Sequence, residues 1–258
     1  MKGALASIAV LGALAAPAPN APLPHGPAAL RTAYLRTTAA LAGALDRWGG
    51  RSPVPREVGL DALYQERIIR LLATDPALAR AARVAQEDVL ARRDLLRLTA
   101  PYPPRIRVRI ATPPAPRALR RWYGEAERRF GVPWNVLAAI NFVESRFGAV
   151  RNDSTAGAQG PMQFLPATWR AYGLGGDVHD SHDAILGAAN YLRANGAARD
   201  LRDALYHYNR SSLYVDAIVR YARRIRSDPH AFLSYYAWPV FVRTSTGVKR
   251  LNGPRRVW

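Results

Sequence analysis

NFVESRFGAVRNDSTAGAQGPMQF, residues 141–164, ends an apolar run on a carboxylate, continues through a loop containing Gly and Ser, and returns to the apolar Pro161-Met162-Gln163-Phe164. On a helix starting from Pro133, Leu137, Ile140 and Glu144 stand at i, i+3 and i+7, so Glu144 sits at the rim of the stripe that faces the core. Desolvation there raises the pKa of a carboxyl group. A carboxylic acid that stays neutral near neutral pH can protonate a leaving-group oxygen, the task of the acid in glycosidic bond cleavage. Taken alone, a Glu so placed is more often a helix-end carboxylate paired with a neighbouring cation, here Arg146 or Arg151. Gly157 and Gly160 let the loop adopt backbone conformations closed to other residues and approach a ligand closely; an ordinary helix-connecting loop is the alternative.

Working outward, the pattern is helical in short pieces over 117–130, 133–147, 166–172, 181–195, 200–208 and 212–226. Asp180 or Ser181 suits an N-cap before Ala184-Ile185-Leu186, and Asp200 suits one before Leu201 and Leu205. The tail reads as a β-hairpin, with Trp238 to Arg243 and Val248 to Leu251 joined by a Thr-Ser-Thr-Gly turn. Upstream, helical patterns cover 28–48, 59–73 and 76–98; in the last, Leu78, Ala82, Ala85, Val89, Arg92 and Leu96 step at three and four residues. The proline-rich 99–116 cannot continue a helix and marks a boundary. The expected organisation is a signal segment 1–15, a helical module 16–98, a linker 99–116, a domain 117–226, and an extension 227–258 with the hairpin. The motif lies outside the module, so 28–98 is expected to be dispensable for chemistry.

Composition limits the possibilities. A chain of 258 residues, 49% of them apolar, suits one sizeable core or a compact domain with an appendage. The net charge of +18 would suit an anionic partner, but residues 133–226 carry eleven Arg against eight acids, which is not a nucleic-acid footprint. With no cysteine there is no disulfide, thiol nucleophile or Cys-based zinc site. Met1-Lys2, the apolar run Gly3 to Leu14 and the small-x-small Ala13-Leu14-Ala15 read as an export signal cut near Ala15, with an uncleaved anchor as the alternative. The expected location is therefore exported, in the cell wall, extracellular or periplasmic space, with no stable membrane span after cleavage.

Glu144-Ser145-Arg146-Phe147, then Ser154, Ala156-Gly157-Ala158-Gln159-Gly160-Pro161-Met162-Gln163-Phe164, Pro166 and Thr168 resemble the ES-x-F … S-x-x-G-A-x-G-x-M-Q … P-x-T signature of soluble lytic transglycosylases, a goose-type-lysozyme-like family. Asp183-Ala184-Ile185 with Ala189-Asn190-Tyr191-Leu192 resembles the family's DAI…A-x-YL helix, and Ala204 to Asn209 its A-x-x-x-YN element. These elements recur in order across residues 118–226. Pro161 stands where an aliphatic residue is usual, one extra residue separates Glu144 from Gly160, and no Gly follows Asn209.

The resemblance implies a mainly α, lysozyme-like fold for 117–226 and an enzyme that cleaves the β-1,4 MurNAc–GlcNAc bond of peptidoglycan. It implies Glu144 as catalytic acid/base, Ser154 near the reacting sugar, and Gln163 and Tyr208 along the saccharide groove. Asn209, Met162 and Tyr191 join them as candidate substrate contacts, although Met162 and Phe164 more often pack in a core. Trp134 and Trp169 are read mainly as packing. No cofactor is expected. His179-Asp180-Ser181-His182-Asp183 has metal-ligand composition, but not the spacing of a helix-borne zinc site, and it overlies an N-cap, so no metal is assigned.

The arginine pairs at 92–93, 120–121, 128–129 and 223–224 read as solvated helix faces, with anionic cell-wall polymers as possible contacts. Glycosidases ordinarily need a second carboxylate. Asp153 is the one acid close to the motif in sequence, and the resemblance gives it no role, so Glu144 is expected to perform both proton transfers and leave a 1,6-anhydro sugar. The rivals are a hydrolytic muramidase using Asp153 and a non-catalytic peptidoglycan-binding protein of an envelope assembly.

Overall fold

Prolines open these helices and glycines close several of them. In the computed structural model, which describes residues 16–105 and 107–251, α1 (Pro27–Trp48) has Pro27 in its first turn and ends on Gly49 at φ 60. The expected signal segment lies outside the described residues. After α2 (Arg56–Thr74) the chain does not form the single helix expected over 76–98. Asp75 accepts the N–H of Ala77, and two 3-10 turns, Pro76–Leu78 and Ala81–Ala85, bury Ala81, Ala82 and Ala85 against α1 and α2. Only then does α3 (Gln86–Leu98) run on as regular helix.

The second half follows the expected pieces: α4 (Pro116–Phe130), α5 (Trp134–Ser145), α6 (Pro166–Tyr172), α7 (Ser181–Ala194), α8 (Leu201–Tyr208) and α9 (Ser212–Ser227). Asp180 caps α7 by accepting the N–H groups of His182 and Asp183, and Asp200 caps α8 through Arg202 and Asp203. A further helix, α10 (Ala231–Ala237), escaped the sequence reading because nearly every residue of AFLSYYA is buried, so it has no polar face to set a period. The tail is an antiparallel hairpin, β1 (Val240–Thr244) and β2 (Gly247–Leu251), with Val240 opposite Leu251. Among the described residues no helix is long and apolar enough to cross a membrane.

One core cluster runs through both halves. α3 lies along α9, and α10 touches α1, α2, α5 and α9. At this junction Phe142 stacks on Tyr235 at 4.9 Å and meets Tyr221 edge-on at 5.0 Å, while Phe147 meets Phe232 edge-on at 5.4 Å. Truncating one such buried aromatic costs about 3–5 kcal/mol. The proline-rich segment joins the packing through its backbone. The N–H of Tyr102 donates to Arg243 O at 2.9 Å, and that of Ala111 to Ala149 O at 2.9 Å. Tyr102 therefore lies along the hairpin, and Ala111 along the loop that follows Glu144.

Two arginine pairs depart from the solvated reading. Arg92 is 8% exposed and bonds Glu66 at 2.8 Å, and Arg93 donates to the carbonyls of Ala73 and Leu72. Arg224 reaches Asp228 at 2.8 Å. Arg92 and Arg93 face an acid and a helix end supplied by α2, which local sequence does not display, whereas Arg224–Asp228 is a local i,i+4 pair. Trp134 and Trp169 pack against the core, as read.

Candidate active site

Glu144 occupies the last turn of α5, behind Leu137 and Ile140, both fully buried. Directly after it Arg146 (φ 54), Phe147 (φ 61) and Gly148 (φ 82) turn the chain out of the helix through left-handed backbone. Ser145 secures the turn: its buried hydroxyl donates to Pro161 O at 2.6 Å and accepts the N–H of Gly148 at 2.8 Å. Asn141, one helical turn earlier, donates to the same carbonyl at 2.9 Å and accepts the hydroxyl of Tyr123 at 2.6 Å. The 156–164 loop is thereby tied to the helix that carries the acid.

Within that loop Gln159 and Phe164 exchange backbone hydrogen bonds of 2.8 and 2.9 Å. Gly160 has φ +71, and a Cβ there would lie 1.9 Å from Val178 O, so no other residue fits. Gln163 takes a left-handed φ of 50 and folds its amide onto Gly160 O at 2.9 Å. Met162 is wholly buried and meets the site through its carbonyl, which accepts the hydroxyl of Tyr208 at 2.7 Å. Its side chain is thus a core group, and the candidate contact with substrate does not fit its position.

The Glu144 carboxyl is partly buried and accepts the hydroxyl of Tyr214 at 2.6 Å. Burial pushes it up to about 7, against the smaller opposing effect of the Tyr214 hydrogen bond. The ion pair with Arg146 or Arg151 that local sequence would suggest does not form: Arg146 turns instead to Glu66, at 3.4 Å. Tyr214 stacks parallel to Tyr208 at 6.4 Å, Tyr208 meets Tyr191 at 5.7 Å, and Tyr191 meets Tyr172 at 4.9 Å. A row of tyrosines thus leads up to the acid.

Glu144 opens into a cleft of about 510 Å³, a size suited to a small ligand. Asp153 and Ser154 line it from the loop, Arg70 and Leu96 from the first half of the chain, and Tyr102 and Phe241 from the flanking segments. Ser154 is exposed, and its hydroxyl closes the turn by accepting the N–H of Ala158 at 3.0 Å. Gln163, Tyr208, Tyr191 and Asn209 do not line this cleft; Tyr208 stacks on Tyr214, whose hydroxyl bonds the cleft residue Glu144. Asn209 ends α8, its carbonyl accepting the N–H of Ser211 at 2.7 Å.

The geometry is an acid at a helix end, a glycine loop pinned beneath it by Asn141 and Ser145, and an aromatic row beside it. The sequence model of the transglycosylase SLT domain matches residues 122–226. Over these residues the chain is similar to the soluble lytic transglycosylase family. No curated protein and no solved structure matches the chain. The SLT domain is lysozyme-like and ties the protein to lytic-transglycosylase-type work on peptidoglycan. Its match runs from within α4 to α9 and includes Glu144, the 156–164 loop, Tyr208 and Tyr214.

Two site features escaped sequence reasoning. Tyr214 reads as one more apolar position on α9, and Glu66 lies 80 residues from Arg146 with no local mark. Asp180, His182 and Asp183 do bring three potential ligand atoms within 4.8 Å of one another. Asp180 Oδ1 is already committed to the α7 cap, and His182 Nε2 lies 3.0 Å from Glu125.

Proposed function

We propose that the protein is an exported lytic transglycosylase that cleaves the β-1,4 bond between MurNAc and GlcNAc and forms 1,6-anhydroMurNAc. The observation that carries this reading is the Glu144 carboxyl, held by burial at a pKa of about 7 inside a cleft whose only other lining acid among the described residues is the exposed Asp153. A group poised there is protonated often enough to act as acid and ionised often enough to act as base. Glu144 gives its proton to the glycosidic oxygen as the C1–O bond breaks. The resulting carboxylate, held by the Tyr214 hydroxyl, takes the proton of the muramic acid C6 hydroxyl as that oxygen closes on C1. One side chain then completes both transfers and no water is consumed.

Mass spectrometry of muropeptides released from purified cell wall by the full chain tests reaction and product together. The anhydro product is lighter than the hydrolysed one by one water and has no reducing end. A hydrolytic muramidase is the second reading, favoured by the presence of Asp153 in the same cleft, and it would give a free reducing end. Asp153→Asn would then abolish turnover, whereas the transglycosylase reading expects a mild effect. Residues 1–15 support export: protein recovered outside the cytoplasm should begin near Ala16, and a retained Met1 would argue for an anchor.

A further inference from the structure

The cleft that holds Glu144 is also lined by Arg70 of α2, Arg92 of α3 and Arg146. Beside them Glu66 is wholly buried. All three guanidiniums turn to one atom, Glu66 Oε1, which lies 2.8 Å from Arg92, 3.4 Å from Arg146 and 3.8 Å from Arg70. Three cations against one carboxylate leave two positive charges uncompensated. The neighbouring Asp88 does not cancel them, because its carboxylate is taken by Tyr235 and Arg224.

The surplus is not dissolved in solvent. The Arg70, Arg92 and Arg146 side chains are only 19%, 9% and 19% exposed. Arg92 Nε and Arg146 Nη1 are buried with no hydrogen-bond partner, as is Glu66 Oε2. A structural ion pair needs one cation, and buried charged N–H groups without an acceptor are costly to keep. Phe241 holds the Arg70 guanidinium from its face at 4.2 Å, and Phe142 holds that of Arg146 at 4.4 Å, contacts that leave guanidinium edges for a planar anion.

We infer that the arginine cluster around Glu66 is an anion subsite that takes a carboxylate of the peptide borne by the muramic acid. The inference rests on the reading of this cleft as a peptidoglycan site. The chemistry matches: a carboxylate accepts two parallel N–H groups from a guanidinium fork, and the peptide hangs from the sugar on which Glu144 acts. Burial and mutual repulsion lower Arg70 to about 9, still above neutral pH, and burial lowers Arg146 against the opposing field of Glu66. Glu144 in the same cleft is raised by burial, against the opposing Tyr214 hydrogen bond.

The test uses the full chain carrying Glu144→Gln, titrated calorimetrically with a GlcNAc–MurNAc–peptide bearing free carboxylates and with the same molecule amidated. Amidation should weaken binding about tenfold or more, the effect of losing a hydrogen bond to a charged group. Adding Arg146→Gln or Arg70→Gln should erase that difference, and Arg146→Lys should retain part of it. Equal affinity of the two ligands, binding of neither, or discrimination that survives both Gln variants overturns the subsite. A poly(glycerol phosphate) that displaces the free-carboxylate ligand while amidation changes nothing would assign the cluster to phosphate and overturn the carboxylate. Should Arg146→Gln fail to fold by circular dichroism, Arg70→Gln carries the test, its contact with Glu66 being the longest of the three. Wild-type protein that is inactive on cell wall yet still discriminates would sink the transglycosylase reading alone.

Discussion

A single carboxyl group sets much of the behaviour expected at the residue scale. Its folded pKa of about 7 is raised above the ordinary 4.5, so its contribution to stability is fully present below about 4.5 and is lost as pH rises through about 7. Glu144→Gln has no such loss. Its stability relative to wild type should therefore grow between those two values, by at most about 3 kcal/mol, as denaturant midpoints at several pH values will show. The same variant should lose about 10²–10⁴-fold in turnover, the usual cost of a general acid/base. Tyr214→Phe removes the hydroxyl that favours the ionised carboxylate, so the alkaline limb of kcat/KM should move upward from about 7. An unmoved limb would mean that Tyr214 does not govern this ionisation.

At the scale of elements, the helix pairs around Glu66 carry the load. This buried carboxylate on α2 pairs with guanidiniums from α2, α3 and the turn after α5. Glu66→Gln keeps the shape and removes the charge, leaving three buried or half-buried cations without it. The expected loss is about 3–5 kcal/mol in chemical denaturation, the cost of breaking a buried ion network by one partner. A loss under about 1 kcal/mol would show that water reaches and solvates the cluster. The Asn141–Ser145 clamp on Pro161 O is legible in part from sequence, since Ser145 sits in the motif. Its partner, 16 residues away, became identifiable only when the loop closed.

For the molecule as a whole, the shared core changes an expectation drawn from the proline-rich segment. Residues 28–98 hold no motif element, yet they cover α9 through α3 and line the cleft through Arg70, Arg92 and Leu96. A fragment starting at Pro116 would expose the apolar side of α9, including Ile218 and Tyr221, both buried in the full chain. It should aggregate or lose turnover, which gel filtration and a cell-wall assay will report. The full chain should unfold in one transition with equal calorimetric and van't Hoff enthalpies. Two separate transitions would show that the halves fold independently.

What the sequence determined by itself is whatever depends on neighbours in the chain. Helix starts and stops follow from proline, glycine and Asp caps within a few residues, and the placing of Glu144 at a helix end before a glycine loop follows from 3.6-residue periodicity and a motif of contiguous residues. Tertiary structure alone decided which groups face that acid. Tyr214 lies 70 residues from Glu144, Glu66 lies 80 from Arg146, and Tyr235 lies 147 from Asp88. No local signal marks such partners, because a buried tyrosine or arginine on a helix stripe has the same sequence pattern whether it meets a carboxylate or a leucine. Only the packing of α3 on α9 and α2, and of α9 and α10 on α5, brings opposite charges and hydrogen-bond partners within reach, in a low-dielectric interior where those contacts outweigh local propensity.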